Sequence, residues 1–174
     1  MKEFHKLNCC QVVISILGCE DMQRNAGMIE THARACELVS LEDLIDLERS
    51  KAGSYYAAAC EEGSTAMGLL WLLRALRLLQ RTLEELLREP EQSLHRCIQR
   101  GYELTLKPHH NFLTRNVIQA AIRAAPSRAV FLQKLSPDDS ELKATESKIQ
   151  LFLQVYSPVL QKAHAFLLTC GLES

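Results

Sequence analysis

Apolar residues recur every three or four positions through most of this chain, and no segment shows the alternation of a half-buried strand. The clearest run is residues 64–88. In its second half Arg74, Arg77, Arg81, Glu84, Glu85 and Arg88 fall on one side, and Leu76, Leu79, Leu83, Leu86 and Leu87 on the other, which predicts an amphipathic helix. Residues 66–73 are apolar all the way round, so those turns are expected to be enclosed by other helices. Trp71, the only tryptophan, lies there, near the border between the leucine face and the arginine stripe at 100° per residue. A ring at that border can cover a core or floor a pocket, and the pattern leaves both open.

The remaining periodicity predicts further helices around this one. Residues 4–17 read as a short helix with Leu7, Val13, Ile14 and Leu17 as its apolar set, interrupted at Gly18. Residues 20–35 restart a helix, with Asp21 placed to meet the positive end of its macrodipole. Ser40, three residues before Asp43, is a candidate N-cap for a helix through about residue 49, burying Leu41, Leu44, Ile45 and Leu47. Gly53 and Gly63 bracket an alanine-rich piece holding Tyr55 and Tyr56. Residues 92–107 continue as helix and are expected to stop before Pro108, because proline pushes the preceding residue out of helical geometry. Residues 111–125 place Leu113, Val117, Ile118, Ala121 and Ile122 inward. After Pro126 comes a short helix over residues 127–135, then a turn and helix start at Ser136-Pro137-Asp138-Asp139-Ser140. A long helix to about residue 169 follows, with Pro158 a candidate bend and Gly171 a candidate C-terminal cap. The class is all-α, in one domain spanning residues 1–174.

Composition narrows the function classes. At 174 residues the chain can bury a real core. Its net charge of −1, with the basic residues scattered, argues against a nucleic-acid partner. Seven cysteines without C-x-x-C pairs fit a reduced intracellular thiol set rather than a zinc site or a disulfide framework. Lys2 and Lys6 before the apolar residues 12–17, ending at Gly18-Cys19, imitate an export signal. Glu3, Asn8 and Gln11 interrupt that segment and its apolar part is short. No run approaches the ~18 apolar residues of a membrane span. A soluble, cytoplasmic protein able to touch membranes is expected.

Three constellations carry candidate chemistry. Asp21, Asn25 and Met28 share one helix face at i, i+4, i+7. A carboxylate beside a carboxamide can accept and donate several hydrogen bonds, as polyhydroxylated ligands require, although a solvated first turn has the same spacing. His109 and His110 lie at a helix junction and point about 100° apart, a poor pair of metal ligands. Phe112 beside Lys107 and Arg115 can form an aromatic tip flanked by positive charge, suited to a lipid interface. No nucleophile–base set, HExxH motif or metal set is present. Neither enzyme activity nor a cofactor is expected.

Together these pieces resemble the glycolipid transfer protein family. The carrying residues are Asp21-x-x-x-Asn25, Trp71-Leu72-Leu73-Arg74-Ala75-Leu76-Arg77, and Tyr102-Glu103-Leu104-Thr105-Leu106-Lys107-Pro108-His109-His110-Asn111-Phe112. Residues 120–135, AAIRAAPSRAVFLQKL, continue the likeness. The resemblance implies a two-layer sandwich of helices enclosing a hydrophobic lipid pocket. It further implies that Asp21 bonds the sphingoid amide N–H and a sugar hydroxyl, and Asn25 bonds sugar hydroxyls. Trp71 would stack the first sugar, and His110 would donate to the amide carbonyl. Leaving either amide group unpaired in an apolar site would cost about 1–3 kcal/mol. The hydrocarbon chains would supply most of the affinity, at ~0.8 kcal/mol per buried CH₂.

Family members that bind ceramide phosphate resemble one another in carrying arginines at the Trp71 position and one turn earlier, where this chain has Met67. A sugar headgroup is therefore favoured: a mono- or small oligosaccharide ceramide. Three departures stand out. Met28 replaces the lysine usual in glycolipid binders, leaving Arg24 or Arg74 as substitute donors. Phe112 replaces a tryptophan two residues after the site histidine, and the family's initial helical stretch is largely missing. The leading expectation is a monomeric carrier of glycosphingolipids between membranes, with transient membrane contact. A lipid sensor or non-transferring paralogue of the same fold is a second expectation, and a helical interaction module without a ligand is a third.

Overall fold

A computed structural model of the chain describes residues 19–38, 40–135 and 142–173. The expected helix over residues 4–17, its interruption at Gly18 and the turn at residues 136–140 lie outside the described residues. Among those described there is no strand. The helices are α1 (Cys19–Ala35), α2 (Leu41–Ala52), α3 (Tyr55–Cys60), α4 (Thr65–Arg88), α5 (Leu94–Leu104), α6 (Phe112–Arg123), α7 (Arg128–Leu135) and α8 (Leu142–Thr169). A 3₁₀ turn over Lys107–His109 precedes α6. The chain divides into two compact units: residues 20–76 with 158–173 (unit A), and residues 77–157 (unit B).

In unit A, local chemistry sets the helix ends. Ser40 Oγ accepts from Asp43 N at 3.0 Å, capping α2 as its spacing predicts. Gly53, at φ +88°, closes α2 by donating to Arg49 O, a left-handed conformation that costs glycine little. Ser54 then caps α3. The N–H groups at the start of α4 that lack intrahelical partners are all met. Glu48 of α2 accepts from Thr65 N at 2.6 Å and Ala66 N at 2.9 Å, and Ser64 Oγ accepts from Met67 N at 3.0 Å. His32 of α1 reaches the same point, its Nδ1 lying 3.0 Å from Thr65 Oγ1. One carboxylate thus ties α1, α2 and α4 together. α8 ends in a Schellman turn: Leu172 N bonds Leu167 O and Gly171 N bonds Leu168 O, with Gly171 at φ +68°. Leu167 and Leu172 are both buried in the core that holds Ile29, Leu44, Ile45, Ala66, Leu69 and Leu73. Only one face of residues 66–73 is enclosed. Met67, Leu70, Trp71 and Leu72 remain half-buried, so full enclosure of those turns does not occur.

Unit B has its own core, built from Leu78, Leu83 and Leu86 of α4, Leu94, Ile98 and Tyr102 of α5, Ile122 of α6, Phe131 and Leu132 of α7 and Ile149 of α8. α5 approaches α4 at Gly101, where an added Cβ would lie 2.8 Å from Thr82 Oγ1 and 3.2 Å from Leu78 O. Two expectations are corrected here. α5 stops at Leu104 rather than at residue 107, because the Thr105 hydroxyl turns back to Gly101 O at 2.8 Å and its backbone leaves helical geometry. Pro108 sits inside the following 3₁₀ turn, near its start, where its missing N–H costs nothing. On α6, Leu113 and Val117 do not point inward; they are 72% and 60% exposed. At 100° per residue they lie up to ~180° from Ile122, so the arc is too wide for one packed face, and Ile118, Ala121 and Ile122 take the core side.

Cys36, Cys60, Cys97 and Cys170 are free thiols. Burial pushes the Cys97 thiol above its ordinary pKa, and thiolate is the reactive form. Cys36 and Cys60 are exposed. In native protein, peptide mapping after brief iodoacetamide treatment should show Cys36 and Cys60 alkylated at least about tenfold faster than Cys97.

Candidate functional site

Unit A carries six of the candidate residues. Asp21, in the first turn of α1, pairs with Arg24 in an exposed ion pair, so Arg24 is engaged with the carboxylate it neighbours. Asn25, one turn further, is half-buried. Its backbone oxygen would lie 3.9 Å from a Cβ placed on Gly68 of α4, and Met28 Cε would lie only 2.2 Å away. Glycine at position 68 therefore leaves room for the Met28 methyl where α1 meets α4. Trp71 follows three residues later, ~4.5 Å along the helix axis. The backbone of Asn25 thus meets α4 at Gly68, about one turn before Trp71 along that helix. Met28 faces the core of this unit and packs beside Gly68 rather than standing in a polar cluster.

Arg74 departs from the solvated arginine stripe. Its guanidinium carbon sits 5.1 Å from the centroid of the Trp71 ring, and its Nε donates to Glu173 Oε2 at 3.0 Å. The side chains of Arg74 and Glu173 are only 12% and 5% exposed. By contrast Arg81 and Arg88 lie on the surface, paired with Glu84 and Glu85.

Unit B carries the other four. His110 follows the 3₁₀ turn, and Asn111 caps α6 by accepting from Thr114 N at 2.9 Å. His110 Nδ1 lies 3.2 Å from the hydroxyl of Tyr102, which is fully buried. Burial raises the Tyr102 pKa, keeping the phenol protonated and able to donate. When it donates to Nδ1, the proton of a neutral imidazole resides on Nε2, aimed away from the tyrosine. Arg115 Nε donates to Lys107 O at 3.0 Å, which holds the turn against α6, and Lys107 Nζ lies 3.6 Å from Glu103. Phe112 is 80% exposed. With Leu113, Val117 and Ala120 it makes an exposed apolar face on α6.

Three supporting residues escape sequence reading. Glu48 leaves no helix-cap signal, because it caps a helix 17 positions away. Glu173 lies 99 positions from Arg74. Tyr102 sits within a quoted motif, and its i, i+8 spacing to His110 across a helix end was the available signal. Among the described residues no helix is long and apolar enough to cross a membrane, and no histidine, cysteine or carboxylate group of three could hold a metal ion.

The family model described as glycolipid transfer protein matches residues 7–137. The chain belongs to the glycolipid transfer protein family. Members of this family are lipid transfer proteins, not enzymes. The mouse pleckstrin homology domain-containing family A member 8 is 34% identical over 117 residues, covering 64% of this chain and 22% of that one. The chain therefore spans about a fifth of that relative's length. A solved structure of the glycolipid transfer fold of FAPP2, described as selecting simple glycosphingolipids, aligns at TM-score 0.74 and 26% identity, covering 92% of this chain and 78% of that chain. The mouse ceramide-1-phosphate transfer protein aligns at TM-score 0.80 and 21% identity, covering 97% and 82%. The all-helical glycolipid transfer protein fold thus accommodates both headgroup classes.

Proposed function

We propose that this chain carries glycosphingolipids with small sugar headgroups between membranes. The observation that carries the reading is Trp71. It is half-buried, close along α4 to the crossing with Asn25, and stands where ceramide-phosphate binders have an arginine. The adjoining cation, Arg74, is already neutralised by Glu173. Trp71 stacks the first sugar, Asp21 and Asn25 bond its hydroxyls, and Asp21 also takes the amide N–H. His110, with its proton set on Nε2 by Tyr102, donates to the amide carbonyl. The hydrocarbon chains occupy an apolar pocket of the fold. Residues 1–174 act as one domain, monomeric and cytoplasmic. Phe112, supported by Leu113 and Val117 and flanked by Lys107 and Arg115, makes the transient membrane contact. Arg24 and Arg74 serve the site by holding Asp21 and Trp71, and Met28 by packing against α4.

The test is transfer of fluorescent glucosylceramide, galactosylceramide and ceramide phosphate between vesicles. Transfer of the first two at least about tenfold faster than the third supports the reading, and the reverse order rejects it. A second reading, a lipid sensor, is favoured by one observation: Met28, where glycolipid binders usually place a lysine, packs against Gly68. Tight glycolipid binding without transfer selects it. Tyr102→Phe leaves His110 Nδ1 without the hydroxyl and is expected to slow glucosylceramide transfer about fivefold, the equivalent of about 1 kcal/mol for one hydrogen bond. Stopped-flow transfer with His110→Ala as the comparison measures this.

A further inference from the structure

The Glu173 side chain is among the most buried charged groups of the described residues, and it pairs with the arginine lying over the only tryptophan. We infer that Glu173 is a positioning residue for the headgroup site: acting through Arg74, it fixes the indole of Trp71 from the carboxyl-terminal end of the chain. This inference rests on the reading of Trp71 as the sugar-stacking plate.

Each link is local and physical. The Schellman turn after α8 buries Leu172 against Leu167 and sets the direction of the next residue, which places the Glu173 carboxylate in reach of α4. The carboxylate accepts from Arg74 Nε at 3.0 Å. Trp71 and Arg74 are three residues apart on α4, so their side chains share a face, and the guanidinium closes over the ring at 5.1 Å. An arginine side chain has many rotamers and a charge that water stabilises strongly. Held almost out of water with no anion, it would turn toward solvent. The carboxylate makes the stacked, buried conformer the stable one, and the indole gains a wall that restricts its rotation. A plate held still loses less freedom when a sugar settles on it. Glu173 itself need not touch the lipid.

Glu173→Gln keeps the shape and one acceptor but removes the charge. Trp71 is the sole fluorophore of its kind, so its mobility can be read without any lipid. In Glu173→Gln, steady-state anisotropy of the tryptophan should fall and acrylamide quenching should rise about twofold. Glucosylceramide transfer should drop about tenfold, while transfer of ceramide, which has no sugar, stays within about threefold. A parallel loss of both lipids in Glu173→Gln, while Trp71→Ala loses glucosylceramide selectively, marks a merely structural role and overturns the inference. The double variant Arg74→Gln/Glu173→Gln removes both charges together and avoids stranding either one in the protein. It should show the same mobile indole and the same selective loss. Unchanged anisotropy in either folded variant overturns the inference. If anisotropy falls but neither Glu173→Gln nor Trp71→Ala alters the preference for glucosylceramide over ceramide, the sugar-stacking reading fails and the strut on the indole stands.

Discussion

Replacing Trp71 with alanine is expected to cut glucosylceramide transfer at least about thirtyfold in a protein that remains folded. Truncating a central aromatic anchor of a binding site typically costs about 2 kcal/mol or more, which corresponds to roughly thirtyfold. Trp71 is half-buried, whereas its neighbours Leu69 and Leu73 on the same helix are sealed in the core. Removal of the ring should therefore cost the fold less than Leu73→Ala, a buried large-to-small change expected to remove about 2–5 kcal/mol. The two variants should separate in opposite directions: Trp71→Ala loses transfer with a modest shift in thermal midpoint, and Leu73→Ala loses stability. Circular dichroism melts run beside the vesicle assay decide it. Transfer by Trp71→Ala within about threefold of the unaltered protein would contradict the proposed role of the ring.

Gly101→Ala should destabilise the protein by about 1–3 kcal/mol, against the usual sign for such a change. In a helix interior, glycine to alanine normally stabilises by roughly 0.5–1 kcal/mol, because alanine loses less backbone freedom on folding. Gly101 is buried where α5 crosses α4, and the new methyl carbon meets Thr82 Oγ1 at 2.8 Å and the Leu78 carbonyl oxygen at 3.2 Å. The carbonyl belongs to helix backbone and cannot yield cheaply, so the helices must separate. Gly27 of α1 provides the internal control, since a Cβ there meets nothing within 4 Å. Gly27→Ala should stabilise by roughly 0.5–1 kcal/mol. Urea unfolding of both variants reads the two signs directly. Because α5 also carries Tyr102, Gly101→Ala should in addition slow transfer.

How far these features were legible in the chain depends on how local their causes are. Ser40 before Asp43 and Gly171 after the last helix each act on a backbone group within a few positions, and each marks a helix end as read. The central helix was readable because its arginines and leucines segregate so cleanly. Leu113 and Val117 show where periodicity stops helping: α6 is apolar over an arc wider than any single packed face, and only the neighbouring elements decide which part is covered. The early end of α5 turned on one side-chain hydroxyl at Thr105 competing for Gly101 O. At the site, residue types at Asp21, Asn25, Trp71 and His110 were visible through the family likeness, but the contacts that hold them were not. Arg74 reads as one more member of a solvated stripe until Glu173, 99 positions away, is found beside it. Met28 reads as a lost donor, and becomes a packing residue once Gly68 is seen beneath it.

The central claim is that a sugar-bearing sphingolipid is the cargo. Native mass spectrometry of the protein after incubation with vesicles holding equal amounts of glucosylceramide, ceramide phosphate and phosphatidylcholine tests it most directly. The account predicts a one-to-one complex with the mass of glucosylceramide, lost in Trp71→Ala. A complex with ceramide phosphate instead, or a spectrum of lipid-free protein only, would contradict it.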